Sequence, residues 1–165
     1  MSDNPYAPPK AVVADIQNPA DAPPLWNPNA AANWSLLFSP AFGAYVHMKN
    51  WEALGETGKA SIAKIWVIVV AVILLGLPLV PVLMPGVLNL QGFSSPIGLL
   101  LLISWYVGIG RAQATYVKER FGNTYPRRGW GKPILIALAV MFAYFLIVAV
   151  LAALFLSGLG IAGRR

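Results

Sequence analysis

The residues best suited to a binding chemistry lie between positions 116 and 132, where basic and aromatic side chains alternate around one acidic residue, Glu119. In a soluble protein this mixture would indicate contact with nucleic acid. Next to long apolar segments it instead predicts docking on anionic lipid headgroups or on a partner protein, and no nucleic-acid partner. The residues assigned to this docking site are Arg111, Lys118, Arg120, Arg127, Arg128, Trp130 and Lys132.

The residue sets that catalysis requires are missing from the sequence. The chain has no cysteine, one histidine and no GxxxxGK phosphate loop, whereas metal sites and catalytic triads need several such groups together. We therefore predict that the protein is not an enzyme and holds no cofactor and no metal. His47 is interpreted as a surface polar residue, with a metal ligand or proton relay as the alternative. A lipid-modifying enzyme would have to use Asp21, Glu52 and Glu56.

Three apolar segments must position the docking residues, and they indicate a membrane protein. The chain is 58% hydrophobic and 11% charged, whereas soluble domains are about 45–50% apolar and about 25% charged. Residues 65–84 carry no charge and can cross a hydrocarbon core of ~30 Å. We predict an all-α bundle in residues 39–165, with transmembrane helices at about 64–84, 96–115 and 133–157. A short interfacial helix at 40–54 and a disordered Pro-rich tail at 1–38 complete it.

Proline and glycine predict where the helices begin and end. Ser39-Pro40 opens the interfacial helix, because serine can cap the first turn and proline suits its first position. Gly55 ends that helix, and Gly122 ends the second long helix, which begins at Ser95-Pro96. Pro78 and Pro81 predict a kink in the first span, since each removes a backbone hydrogen bond. Such kinks can mark a substrate site, although a kinked helix end is the favoured interpretation.

Arg111 lies about 22 Å of helix beyond Pro96, which places it inside the membrane boundary with its side chain extending towards the headgroups. A charge at that depth is a candidate for a transport role. Small residues predict close packing between helices in two further places. The residues assigned to packing are Gly108, Ala139, Ala143, Ala149 and Ala153.

The distribution of basic residues predicts the orientation in the membrane. The connection between the first two spans has none, whereas the second connection contains the whole basic cluster. The positive-inside rule therefore places the second connection and the N-terminus in the cytoplasm, and the C-terminus on the opposite side. Arg164 and Arg165 oppose this orientation weakly.

Three stretches resemble parts of small, uncharacterised polytopic inner-membrane proteins of Gram-negative bacteria. They are the opening Asn4-Pro5-Tyr6-Ala7-Pro8, the segment from Ser39 to Tyr45 with the following Asn50-Trp51, and residues 125–130. The NPYxxP opening is also similar to that of RDD-type membrane proteins, although the chain has no Arg-Asp-Asp. The resemblance implies the bacterial inner membrane and supplies no reaction. In that membrane the C-terminus, which the basic residues place opposite the cytoplasm, would be periplasmic.

These features together predict a non-catalytic inner-membrane protein that acts by binding a protein partner. One specific form is an immunity protein that neutralises a membrane-acting toxin. The alternatives are a small transporter or channel subunit and a lipid-anchored scaffold. The expected partners are the phospholipid bilayer and a membrane protein or toxin, and a homo-oligomer is possible.

Overall fold

The computed structural model describes residues 21–80 and 94–162 of the chain. The α-helices of the described residues are α1 (Pro28–Leu37), α2 (Pro40–Ala53), α3 (Thr57–Gly76), α4 (Ser94–Trp105), α5 (Arg111–Phe121) and α6 (Gly131–Ala162). A short 3₁₀ turn, Leu77–Leu79, continues α3, and a π-helical turn, Tyr106–Gly110, joins α4 to α5.

Within residues 21–80 and 94–162, three stretches of helix are long and apolar enough to cross a membrane, which confirms the predicted all-α bundle and suggests a membrane-spanning protein. They are Thr57–Leu79, Pro96–Phe121 and Gly131–Ser157, with mean hydropathies of 2.6, 1.4 and 3.0. The first begins seven residues before the predicted boundary. Little of each span is covered by the rest of the described chain, and none of the most apolar window of the third span is buried. Apolar surface of this extent needs a hydrocarbon environment.

The buried side chains gather where α1 and α2 pack against α3 and the second span, in a region that we call the cap (residues 21–63 and 105–130). One cluster joins Leu25 to Val117, Phe121 and Tyr125, and a second packs Trp51 on two small residues of α3. Among the described hydrophobic residues that are buried, only Val70 lies outside the cap. The cap is therefore the tightly packed part of the molecule.

Residues 28–37 form a helix, so the predicted disordered tail is wrong over this range. The Asn27 side chain accepts hydrogen bonds from the amides of Asn29 and Ala30, at 3.0 and 3.4 Å, and Pro28 occupies the first turn. This is the same combination of cap and proline that was recognised at Ser39-Pro40. The prediction for residues 1–20 lies outside the described residues.

The predicted helix at 40–54 is present as α2, but it is buried more deeply than an interfacial helix requires. A three-residue connection, with Gly55 at φ 74°, folds α2 back along α3, and such short connections make helices antiparallel. Trp51 packs on Ala60 and Ala63 of α3. Ser39 makes no side-chain capping bond, and its carbonyl accepts the Phe42 amide at 3.0 Å instead.

The second span runs from α4 through the π-helical turn into α5, and it ends at Gly122 (φ 66°) as predicted. The π turn was not predicted. In the first span, Pro78 lies in the 3₁₀ turn that replaces regular helix after Gly76, in agreement with the predicted disruption. Pro81, the loop that follows it and Arg164-Arg165 lie outside the described residues.

Candidate functional site in the cap

A chain of buried amide hydrogen bonds holds the cap together. Asn50 Nδ2 donates to Gln113 Oε1 at 3.1 Å, and Gln113 Nε2 donates to the carbonyl of His47 at 2.8 Å. Asn50 and Gln113 are fully buried, and a buried amide left without partners costs about 1–3 kcal/mol. The network therefore fixes α2 against the second span, between residues that are far apart in the sequence.

The same Asn50 side chain also binds the segment that precedes α1. Trp26 N–H donates to Asn50 Oδ1 at 3.0 Å, and Asn50 Nδ2 donates to the carbonyl of Trp26 at 2.8 Å. The carboxamide thus satisfies both backbone groups of one residue, as a neighbouring strand would. Sequence reasoning had assigned no role to Asn50 or Gln113.

The loop after α5 pairs with the segment before α1. Leu25 N–H donates to the carbonyl of Pro126 at 3.0 Å, and Arg128 N–H donates to the carbonyl of Leu25 at 2.9 Å. The Trp26 indole donates to the carbonyl of Gly129 at 2.9 Å, and the Arg128 guanidinium lies 4.7 Å from the Trp26 ring. These contacts make the loop a structured part of the cap.

His47 is fully buried, so its interpretation as a surface residue is wrong. Its Nε2 lies 3.2 Å from the carbonyl of Pro28, and its ring packs edge-on against Trp105 with centroids 5.1 Å apart. Because a carbonyl only accepts, Nε2 carries the proton. Burial lowers the pKa of His47 to about 4, and the bond to Pro28 opposes this only in part. The imidazole is consequently neutral at physiological pH.

Two buried nitrogens at this contact have no hydrogen-bond partner among the described residues, namely His47 Nδ1 and Trp105 Nε1. A buried tryptophan N–H usually finds a hydrogen-bond partner, and Trp105 departs from this pattern within the described residues. The described residues contain no group of three or more His, Cys, Asp or Glu side chains that could hold a metal ion.

A second polar cluster lies where α3 begins. The Tyr116 hydroxyl donates to Glu56 Oε1 at 2.8 Å and accepts from Arg120 at 2.6 Å. The Lys59 ammonium lies 4.3 Å from the Tyr116 ring and 4.8 Å from the Trp51 ring. The Tyr116 hydrogen bond, followed by that of Lys59, lowers the pKa of Glu56. Glu56 is thus occupied by structural contacts, and Glu52, the second candidate carboxylate, pairs with Lys49 at 2.7 Å.

Three basic residues, one from each span, lie at nearly the same height, and we call them the basic belt: Lys64, Arg111 and Lys132. A Cβ atom at Gly108 would lie 4.0 Å from the Trp66 ring, so these two residues face each other across antiparallel helices. Arg111 follows Gly108 by about one turn and is therefore level with about residue 63 of α3.

The height of Lys132, the third member of the basic belt, follows from a contact between two spans further from the cap. The Tyr144 hydroxyl donates to the carbonyl of Leu74 at 3.3 Å. Lys132 lies about 18 Å of helix below Tyr144 on the parallel span α6, which puts it level with about residue 62. The belt thus spans about 3 Å of height. Arg111 is level with the other two cations, as expected for basic residues at one boundary of a membrane.

The predicted docking residues separate into three groups in the structure. Arg111 and Lys132 belong to the basic belt, and Trp130, beside them, packs with Trp34 and Phe42 at centroid distances of 6.3 and 6.5 Å. Arg120 and Arg128 are half-buried and lie over aromatic rings inside the cap. Lys118 and Arg127 are exposed and lie in one cleft.

That cleft, which we call the cap cleft, has a volume of about 70 Å³. It combines two cations with amide groups and one aromatic ring. Lys118 lies about 10 Å of helix beyond Arg111, on the side away from the spans. The polar residues of the lining are Asn27, Asn29, Lys118, Asn123, Tyr125 and Arg127.

A wider, open groove of about 470 Å³ follows the second span past Arg111, with Val107, Thr115 and Glu119 in its wall. The residues predicted for helix packing are not covered by the described chain: Gly108 and the four alanines of α6 are all exposed. Gly110, by contrast, is buried, and a Cβ there would lie 3.5 Å from the Trp105 ring. The Trp105 ring belongs to the same span as Gly110, so this contact is local; the close approach between helices is made at Gly43 of α2, where a Cβ would lie 2.5 Å from the Trp105 ring.

Comparison with family models, with curated protein sequences and with solved structures finds no match for this chain. The class of protein is thus defined by the fold and the site alone. The described residues form a helical bundle with three helices long and apolar enough to cross a membrane and a hydrogen-bonded cap.

Proposed function

We propose that the protein is a non-catalytic inner-membrane protein that binds an acidic segment of a partner protein in the cap cleft. Immunity against a membrane-acting toxin is a narrower form of this proposal. The basic residues of the cap favour a cytoplasmic cap, because the sequence between the first two spans has no lysine or arginine. The N-terminus is then cytoplasmic and the C-terminus periplasmic.

The observation that carries the proposal is the height of the cap cleft. The headgroup region adds about 5–7 Å on each side of the hydrocarbon core. Lys118 lies about 10 Å beyond the basic belt, so it is outside the headgroup layer. Lipid binding therefore accounts for Arg111 and Lys132, whereas Lys118 and Arg127 face water. Two cations beside amide donors fit carboxylate side chains.

The cap cleft is also a fixed surface. Tyr125, in its wall, belongs to the same buried cluster as Leu25 and Val117. The Asn50 and Gln113 bonds hold the surrounding helices in one arrangement. A preformed site loses little conformational entropy on binding, which favours recognition of a partner protein.

A photo-crosslinking amino acid at Asn123, which is exposed in the cap cleft, tests the proposal in intact cells. We expect a discrete protein adduct that Lys118→Glu abolishes. Lys49→Glu is the control, because it makes the same charge change on a helical lysine outside the cleft. It also removes the Lys49–Glu52 ion pair, and it should leave the adduct intact. Adducts with lipid alone, or an adduct that Lys118→Glu leaves unchanged, would overturn the proposal.

A further inference from the structure

We propose that the tip of the α1–α2 hairpin, residues 36–42, is inserted among the acyl chains of the membrane leaflet on the cap side. The inference concerns a different surface from the cap cleft and does not depend on the partner of that cleft. It requires only that the three spans cross a membrane. The tip is placed by two independent height measurements against the basic belt.

The first measurement uses α3. Trp51 of α2 packs on Ala60 and Ala63, and α2 then runs antiparallel to α3. Pro40 lies about 16 Å of helix from Trp51, so it is level with about residue 72 of α3. Lys64, in the basic belt, lies about 12 Å from residue 72 in the direction of the beginning of α3.

The second measurement uses the second span. The carbonyl of His47 accepts from the Gln113 side chain, and α2 runs in the same direction as this span. Pro40 is therefore level with about residue 106, which is about 8 Å beyond Arg111. Both measurements place the tip about 8–12 Å from the belt in the direction of the spans. This distance exceeds the whole headgroup thickness of about 5–7 Å, so the tip lies among the acyl chains whether the belt is at the inner or the outer edge of that layer.

The chemistry of the tip fits hydrocarbon rather than water. Leu36 and Leu37 are 67% and 69% exposed, and no residue between them and Phe42 carries a charge. Ser39 is the one residue of this stretch with a polar side chain. The exposed apolar surface of the hairpin tip continues that of the neighbouring spans. The outward residues of those spans are equally apolar.

The aromatic residues around the hairpin have the arrangement expected at a membrane boundary. Trp34 packs against Trp130, which lies two residues before Lys132 of the basic belt. Tryptophan is enriched at the level of the headgroups, where its amphipathic ring fits both environments. Leu37 lies one further turn along α1 from Trp34, in the direction of the spans, and thus among the acyl chains.

Depth-sensitive spin labelling can test this placement directly, because the natural chain has no cysteine. A single nitroxide is attached at Leu37→Cys in the full chain in phospholipid vesicles. Lys49→Cys, at the other end of the hairpin and about level with the basic belt, is the membrane-boundary control, and Leu79→Cys, in the first span, is the membrane control. Collision rates with oxygen and with a neutral nickel chelate are then compared.

The measured quantity is the ratio of the oxygen collision rate to the nickel collision rate. We expect this ratio at position 37 to equal that at position 79 and to be several-fold higher than that at position 49. A label at position 37 that favours nickel as strongly as position 49 would overturn it. A label at position 37 that is shielded from both reagents would also overturn it, since this result would indicate a protein occupant. Unchanged tryptophan fluorescence would establish that each variant is folded.

Discussion

The Asn50 carboxamide pairs with the N–H and the C=O of Trp26, at 3.0 and 2.8 Å, across 24 residues of sequence. Here a side chain, in place of a neighbouring strand, forms the hydrogen bonds of the extended backbone at Trp26. The same amide reaches Gln113 of the second span. One buried residue therefore joins three separate parts of the chain.

Replacing this amide should destabilise the cap. Asn50→Asp keeps the size of the side chain but presents an acceptor where Nδ2 donates to Trp26 and Gln113, and it buries a charge. We expect a loss of about 2–5 kcal/mol in the free energy of unfolding. Denaturation in detergent, followed by tryptophan fluorescence, measures it. Asn33→Asp, on the exposed side of α1, should change stability by less than about 0.5 kcal/mol; equal losses would contradict the role of Asn50.

Gly43 should tolerate no larger residue, because its neighbours fill the space of a side chain. A Cβ there would overlap Ser35 Oγ and lie 2.5 Å from the Trp105 ring. We expect Gly43→Ala to cost about 1–3 kcal/mol through overpacking. Gly58→Ala is the control, since a Cβ on that glycine meets nothing within 4 Å. Thermal unfolding of the two variants in the same detergent gives the comparison, and a harmless Gly43→Ala would refute the tight packing.

Acid should weaken the cap through His47. In the unfolded chain its pKa is near 6.5, whereas burial lowers it to about 4 in the fold. The unfolded state therefore takes up a proton first as the pH falls, and stability present above pH 6.5 is lost between about 6.5 and 4. The full loss is about 3 kcal/mol at 1.36 kcal/mol per unit.

His47→Gln provides the control for the acid effect, because glutamine is an amide donor that does not titrate. Unfolding measured at pH 7 and pH 5 should show a smaller difference for this variant than for the natural chain. If the two proteins lose the same stability, then other groups are responsible for the effect.

Tyr116→Phe should weaken the junction of α3 and α5. The substitution removes the hydroxyl that donates to Glu56 and accepts from Arg120. Because the Glu56 carboxylate faces solvent, water competes for these bonds, and we expect a small loss in the free energy of unfolding. The pKa of Glu56 should rise towards its usual value, which a carboxyl NMR titration can follow. Tyr45→Phe, at an exposed site on α2, should do neither.

The sequence predicted those features that depend on local chemistry. Apolar length located the three spans, and Gly55 and Gly122 ended their helices as expected because both adopt positive φ. The helix α1 also had a local signal, Asn27-Pro28, which the surrounding prolines obscured. The prediction of a tail failed there because proline at a first helical turn favours a helix rather than opposing it.

The contacts that build the cap could not be predicted in this way. Asn50 and Gln113 are ordinary polar residues in sequence, and their partnership depends on the relative heights of α2 and the second span. The π turn shifts every residue after it relative to a regular helix. The facing directions of Arg111 and Lys118 therefore cannot be read from a single helical periodicity. Only the fold showed that Arg111 belongs to the basic belt at the membrane boundary, whereas Lys118 belongs to the cap cleft.

The hydrogen bond between Asn50 and Gln113 joins residues 63 positions apart, and this separation sets the order of events during synthesis. A ribosome adds about 5–20 residues per second, so Asn50 emerges about 3–13 s before its partner. Throughout that interval the α1–α2 hairpin is without the second span, and the amide of Asn50 is hydrated or misplaced. Closure of the cap must therefore wait for the second span, which makes it a late step in biogenesis.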